Sequence, residues 1–175
     1  MLIVSGRAPA QETAETRTLK RLDGTTLTYY ITRPNADSFP IVFTVQGLKC
    51  ASHIGSDASL VKALNAAVIR VEKRRFPTSA IGRPDEYLEN HTIYDRVTDF
   101  KLVINSVEIN ETGWDQKNIY WLGGSEGGTI ISLVAPLDVR AKAVVLLAPG
   151  GAGLTFAEER YIFQDPFSRY HMVTV

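Results

Sequence analysis

The sequence predicts an α/β fold, a doubly wound, mostly parallel sheet that opens with an antiparallel hairpin. Three observations carry that prediction. Two strand-like runs flank Asp23-Gly24, a dipeptide that favours the tight turn of a hairpin. Beyond them, IVFTVQG (41–47) is continuously apolar, as suits a strand buried on both faces of a parallel sheet. Strand-like and helix-like segments then alternate to the end of the chain, and helical crossovers between sequential strands build a doubly wound sheet.

The elements follow in order. RTLKRL (17–22) and TLTYYITR (26–33) are the hairpin strands, and residues 1–16 are expected to form a flexible N-terminus ahead of a single domain over 17–175. Pro34, Asn35 and Pro40 bracket a loop before the strand at 41–47. DASLVKALNA (57–66) reads as a helix that Ser56 or Asp57 can cap, and AAVIRVE (66–72) as the next buried strand. KRRFPTSAIGRPDEYLENH is too long for a simple connection and is expected over the active face. Residues 94–109 place apolar side chains at 97, 100, 103, 104 and 107, a helical spacing. A strand at 118–124, a helix at 126–135, a strand at 141–149 and a helix at 155–163 complete the pattern.

Composition narrows the class of partner. The 175 residues are 45% apolar and 22% charged, ordinary globular usage for one domain with a proper core. Nineteen basic and nineteen acidic residues cancel, so neither a nucleic acid nor an anionic membrane surface is indicated. Cys50 stands alone, which excludes an internal disulfide and a cysteine-rich metal site; no cofactor is expected. No run approaches the ~20 apolar residues of a membrane span. MLIVSGRAPAQE has a short apolar start and an Ala-Pro-Ala but no basic region or full apolar core, so it is not a complete export signal, and the compartment stays open between cytoplasm and periplasm.

The residues that carry chemistry sit in WLGGSEGGTIISL (121–133). Gly123-Gly124-Ser125-Glu126-Gly127 fits G-x-S-x-G, a sharp turn from strand to helix that exposes a serine hydroxyl in strained backbone geometry. Glycines on either side remove Cβ atoms that would collide across such a turn. The helix that follows would aim backbone N–H groups and its positive dipole end at the site, which favours a developing oxyanion. Gln46-Gly47-Leu48 follows the strand at 41–47, where a glycine lets the backbone come close, so the Leu48 amide can join that of Glu126 as an oxyanion donor. The Glu126 carboxylate itself suits a helix N-terminus. Arg70, Glu72, Lys73, Arg74 and Arg75 would lie after the fourth strand, either meeting an anionic substrate group or simply solvated.

With these segments in view, the chain resembles the α/β-hydrolase fold over roughly residues 17–165, from the N-terminal portion through the sixth strand. VQGLKCAS, EKRRF, YDRVTDF and IYWLGGSEGG are similar to segments of bacterial α/β hydrolases related to the prolyl-oligopeptidase and dienelactone-hydrolase-like groups. The resemblance implies Ser125 as nucleophile, the amides of Glu126 and Leu48 as oxyanion donors, and an ester or amide as substrate. In that fold an acid follows the seventh strand and a histidine the eighth, and the residues after Pro149 are too few for both units, so a portion lacking the C-terminal strands is expected. His53, His91 and His171 suit solvent or packing roles better than that of a base, and no catalytic histidine is assigned.

Three functional readings stay open. One is a serine hydrolase, or its N-terminal portion, acting by acyl transfer through Ser125. Another is a non-catalytic α/β module that binds a ligand or partner. The third uses GGSEGG and APGGAG (148–153) as phosphate cradles, although neither matches G-x-G-x-x-G or the P-loop pattern with its lysine. AKAVVLLAP also leaves an apolar sheet edge that either a homodimer or an added strand from HMVTV would cover.

Overall fold

A computed structural model describes residues 14–47, 57–74, 92–110, 113–147 and 172–173. The strands are β1 (Glu15–Lys20), β2 (Thr26–Thr32), β3 (Phe39–Val45), β4 (Ala67–Val71), β5 (Trp114–Gly124), β6 (Ala141–Leu147) and β7 (Met172–Val173). The α-helices among these residues are α1 (Asp57–Leu64), α2 (Ile93–Asn110) and α3 (Glu126–Val134), the last followed by a 3-10 turn at Ala135–Leu137. They form one seven-stranded sheet in the order β1-β2-β4-β3-β5-β6-β7. β1 and β2 pair antiparallel, β2 joins β4 antiparallel, and every later pairing is parallel. The predicted α/β class and hairpin are both present.

Small shifts in the expected bounds have physical causes. The first strand is expected at 17–22 and runs Glu15–Lys20, because Arg21 closes the hairpin turn: its N–H donates to Thr25 and its carbonyl accepts from Gly24. Gly24 supplies the positive φ of 80° that this turn needs. β3 begins at Phe39 rather than 41 and so contains Pro40. That proline is tolerated because it lies at a register shift between Phe39 and Ile41, before pairing with β4 starts.

Local signals set the helix ends. Asn65, at φ 46°, stops α1 in the left-handed conformation that asparagine accepts more readily than most residues. Thr92 caps α2, its hydroxyl oxygen accepting from the Asp95 N–H at 3.0 Å and the hydroxyl itself donating to the Asp95 carboxylate. All five apolar positions expected on that helix, Val97, Phe100, Val103, Ile104 and Val107, are buried.

Alternation along the strands sends Ile41, Phe43 and Val45 to the face covered by α2 and α3. There Phe43 stacks on Trp121 at 4.6 Å between centroids, and Phe100 of α2 meets both rings edge-on. Each such aromatic pair adds about 0.5–1.5 kcal/mol beyond its buried area. On the opposite face α1 packs beside Val42, Tyr120, Leu122 and Val145, leaving a largely apolar cavity of about 470 Å³.

At the far edge β7 pairs parallel with β6 at Val144 and Val145. Of the two expected ways to cover that edge, the added strand from the C-terminal segment is therefore present. No helix among the described residues is long and apolar enough to cross a membrane.

Candidate functional site

β5 ends at Gly123-Gly124, Ser125 makes the turn, and α3 begins at Glu126. Ser125 adopts φ 55°, ψ −129°, a region L-residues rarely enter and one that costs about 1–3 kcal/mol. Its surroundings hold it there. The Ser125 N–H donates to the Leu147 carbonyl of β6 at 2.9 Å, and the Ser125 carbonyl accepts from Gly128 and Thr129 at 2.9 and 3.4 Å. The side chain makes no capping hydrogen bond to α3, and the residue is exposed. A serine that served only to cap the helix would spend its hydroxyl on those first amides. Ser125 does not.

The neighbouring glycines answer to space. A Cβ at Gly127 would overlap the Val45 carbonyl oxygen and stand 2.8 Å from that carbonyl's carbon; one at Gly123 would meet Ile131 Cδ1 at 2.7 Å. Neither glycine has a positive φ, so it is the close seating of α3 against the end of β3 that excludes a side chain. The same closeness brings the loop after β3 to the serine. A Cβ on Gly47 would lie 3.2 Å from Ser125 Cβ and 3.7 Å from Oγ. Gly124 lies against β6, where its Cβ would meet the Leu147 carbonyl oxygen at 3.2 Å. Glu126 opens α3, at the positive end of the helix dipole. Leu48 lies outside the described residues.

β4 ends at the same edge of the sheet, and its end is built from charge. Arg21 in the hairpin turn clasps Asp99 of α2 through Nε at 2.7 Å and Nη2 at 2.9 Å, with both side chains buried. Arg74 bridges Asp23 at 2.8 Å, Asp99 at 3.5 Å and Asp95 at 3.6 Å. Arg96, fully buried, donates to the carbonyls of Val71 and Glu72 at 3.4 and 3.2 Å and lies 5.3 Å from the Phe100 ring centroid. Lys73 is buried, and its Nζ donates to the Gly47 carbonyl. Arg70 sits within β4 and pairs with Asp57, which ties the start of α1 to the sheet.

This environment acts on the carboxylates in opposite directions. Hydrogen bonds from the Thr25 hydroxyl and amide, with help from Arg74, bring the Asp23 pKa down to about 2. Burial pushes that of Glu72 up, against a Tyr30 hydrogen bond and the charges of Arg96 and Arg70.

Of the residues named from sequence, Ser125, Glu126, Gly123, Gly124, Gly127 and Gly47 converge on one strand–helix turn. His53, His91, His171, the segment 75–91 and APGGAG lie outside the described residues. The reading of 70–74 as a solvated charge run is overturned for Arg70 and Lys73, whose side chains are buried. Sequence reasoning gave no role to Arg21, Asp95, Arg96 or Asp99. Their one signal was charge at positions 95, 96 and 99, close beside the buried positions 97 and 100. Among the described residues no group of three or more His, Cys, Asp or Glu side chains is placed to hold a metal.

Solved structures of α/β hydrolases share this architecture. An α/β hydrolase from Penicillium sp. sh18 superposes with a TM-score of 0.60 at 18% identity, over 78% of this chain and 46% of that one. A hyperthermophilic esterase from the archaeon Pyrobaculum calidifontis gives 0.60 at 22% identity, over 78% and 44%. Est1E from Butyrivibrio proteoclasticus gives 0.58 at 21%, over 78% and 51%. The chain thus has the α/β-hydrolase fold, and it spans about half the length of these structures. The sequence matches no family model and no curated protein.

Proposed function

We propose that this chain is a serine hydrolase, or the N-terminal portion of one, that cleaves an ester or amide by acyl transfer through Ser125. The observation that carries this reading is Ser125 itself: an exposed serine at φ 55°, unused as a helix cap, with Gly47 beside its Oγ. Strained backbone at an exposed nucleophilic side chain is a cost that folding alone gives no reason to retain. The esterase activity in the name of the superposed Pyrobaculum calidifontis structure agrees with it.

In this mechanism Ser125 Oγ attacks the substrate carbonyl carbon, and the carbonyl π electrons move onto its oxygen. The backbone amides of Glu126 and Leu48 donate to that oxyanion, helped by the positive end of α3. Collapse breaks the bond to the leaving group, which takes up the proton given up by the Ser125 hydroxyl and departs as the alcohol or amine. Water then hydrolyses the acyl-serine left behind. No acid or general base is assigned.

A fluorophosphonate probe tests the nucleophile directly. Oγ forms a bond to phosphorus, the P–F bond breaks, fluoride leaves and the hydroxyl proton passes to a base. Peptide mass mapping is expected to place one adduct on Ser125 and none on Ser125→Ala. A folded protein that stays unlabelled at Ser125 would end this reading in favour of a non-catalytic module.

A further inference from the structure

The two faces of β5 and β6 are covered to different extents. On the side of α2 and α3, Ile119, Trp121, Val144 and Leu146 are buried. On the side of α1, Tyr120, Leu122 and Val145 are only half-buried, and Leu147 is 43% exposed. Successive residues of a strand alternate between faces, so these side chains form one apolar row along the sheet. A single exposed apolar side chain needs no explanation, whereas a contiguous row marks a binding surface.

Most of that row is the floor of the cavity of about 470 Å³, and Leu60 and Leu64 of α1 form the opposite wall. The volume falls within the roughly 300–1,000 Å³ usual for small-molecule sites. None of the described side chains that line it is charged. Water finds few partners on such walls, and a charged ligand would lose its hydration there without gaining any. A hydrocarbon suits them.

The row also leads to the candidate nucleophile. Pairing of β5 with β6 sets Leu122 beside Val145 and Gly124 beside Leu147. The Leu147 carbonyl accepts from the Ser125 N–H at 2.9 Å, so the row ends at the turn that carries the serine. Gly124 adds no side chain to the row at that end. From Gly124 back to Tyr120 is four residues, about 13 Å along the strand. A run of that length between two strands fits an unbranched chain better than a compact ring.

We propose that the cavity binds an unbranched hydrocarbon chain, the acyl part of the ester or amide whose carbonyl Ser125 attacks. This rests on Ser125 being the nucleophile. The chain lies along β5 and β6 beside α1, its carbonyl end at the Gly124–Leu147 pair. Chain length, sensed by Leu122, Val145 and Tyr120, is then what the site selects.

The test compares dodecanoate with hexanoate by calorimetry, since the two acids differ by six methylenes. A fully buried methylene is worth about fourfold in affinity, and roughly twofold along a half-open row. Dodecanoate is therefore expected to bind roughly fiftyfold more tightly, with a negative heat-capacity change, and to slow fluorophosphonate labelling of Ser125. Leu122→Trp fills the cavity and should reduce that preference to about fivefold or less. Denaturant midpoints confirm folding; if Leu122→Trp is unfolded, Val145→Trp replaces it with the same result expected. A folded variant that keeps the parental preference overturns the proposal, and so does tight binding that leaves Ser125 labelling unslowed. Sedimentation addresses a rival occupant: a parent dimer that binds neither acid means that a second copy fills the cavity, which also overturns it. A parent that labels at Ser125 but shows no chain-length preference overturns this inference and leaves the nucleophile standing. A parent that never labels ends the nucleophile reading, and the acyl role with it, even where dodecanoate binds.

Discussion

Two strand ends on either side of β3 meet the candidate site, and they are built from opposite materials. The end of β5 is glycine: Gly123, Gly124 and Gly127 strip away side chains until backbone lies against backbone around Ser125. The end of β4 is charge: Arg21, Lys73, Arg74, Arg96 and Asp99 fill the same edge of the sheet with long side chains whose polar heads find partners. One end gains precision by removing atoms, the other by pairing them. A glycine contact fails when an atom is added, whereas an ion pair fails when one partner is taken away. The two ends should therefore respond differently to substitution, and that difference can be measured.

The largest effect is expected at the charged end. Asp99→Ala leaves the buried Arg21 guanidinium without its carboxylate and should cost about 3–5 kcal/mol in urea unfolding. The pair itself is worth far less than that cost of breaking it. Replacing both partners, Arg21→Met with Asp99→Leu, is expected to recover more than half of the loss, because no buried charge is then stranded. A double variant as unstable as the single one would show that the pair is intrinsically stabilising, which would break the contrast drawn above.

At the glycine end the expected loss is smaller but cannot be rescued from a distance. Gly127→Ala drives a Cβ into the Val45 carbonyl, a backbone atom that cannot swing aside, and should cost about 1–3 kcal/mol as α3 moves off β3. Because α3 carries the Ser125 turn, fluorophosphonate labelling should fall along with stability. Labelling at the parental rate in a destabilised Gly127→Ala would separate the turn from the packing beneath it.

The same contrast explains what the sequence made legible. G-x-S-x-G and the hairpin turn at Asp23-Gly24 are local: the constraint and the residue that satisfies it lie within a few positions, so type and spacing suffice. The apolar positions of α2 were legible for the same reason, since a periodic stripe needs only a face to bury. The charged end could not be read that way. Arg21 meets a partner 78 positions later, and Lys73 reaches back 26 positions to a carbonyl that every residue possesses. Nothing in KRR distinguishes a lysine that will be buried from an arginine that will reach three aspartates. The fold decides it, by placing the end of β4 between the hairpin turn and the first turns of α2.

Glu72 offers the finest probe of the charged end, because its energetics oppose those of its neighbours. Burial raises its pKa above the ordinary glutamate value of 4.5, while the Tyr30 hydrogen bond and the charges of Arg96 and Arg70 pull it back. For an acid whose folded-state pKa is raised, the sign is definite. The folded protein holds that proton more tightly than the unfolded chain does, so this group's contribution is fully present below the unfolded value and is lost as pH rises through the folded one. Glu72→Gln removes the titration while keeping an acceptor for the Tyr30 hydroxyl. Comparing denaturant midpoints at about pH 4 and about pH 7, the variant should gain on the parent at the higher pH. The gain will be the smallest of these effects, since the neighbouring cations offset much of the burial. If the gap between the two proteins is the same at both pH values, then Arg96 and Arg70 fully compensate the carboxylate and the charged end carries no electrostatic strain. A gap that moves in the parent's favour would mean the ionised Glu72 stabilises the network, and would reverse its place in the comparison.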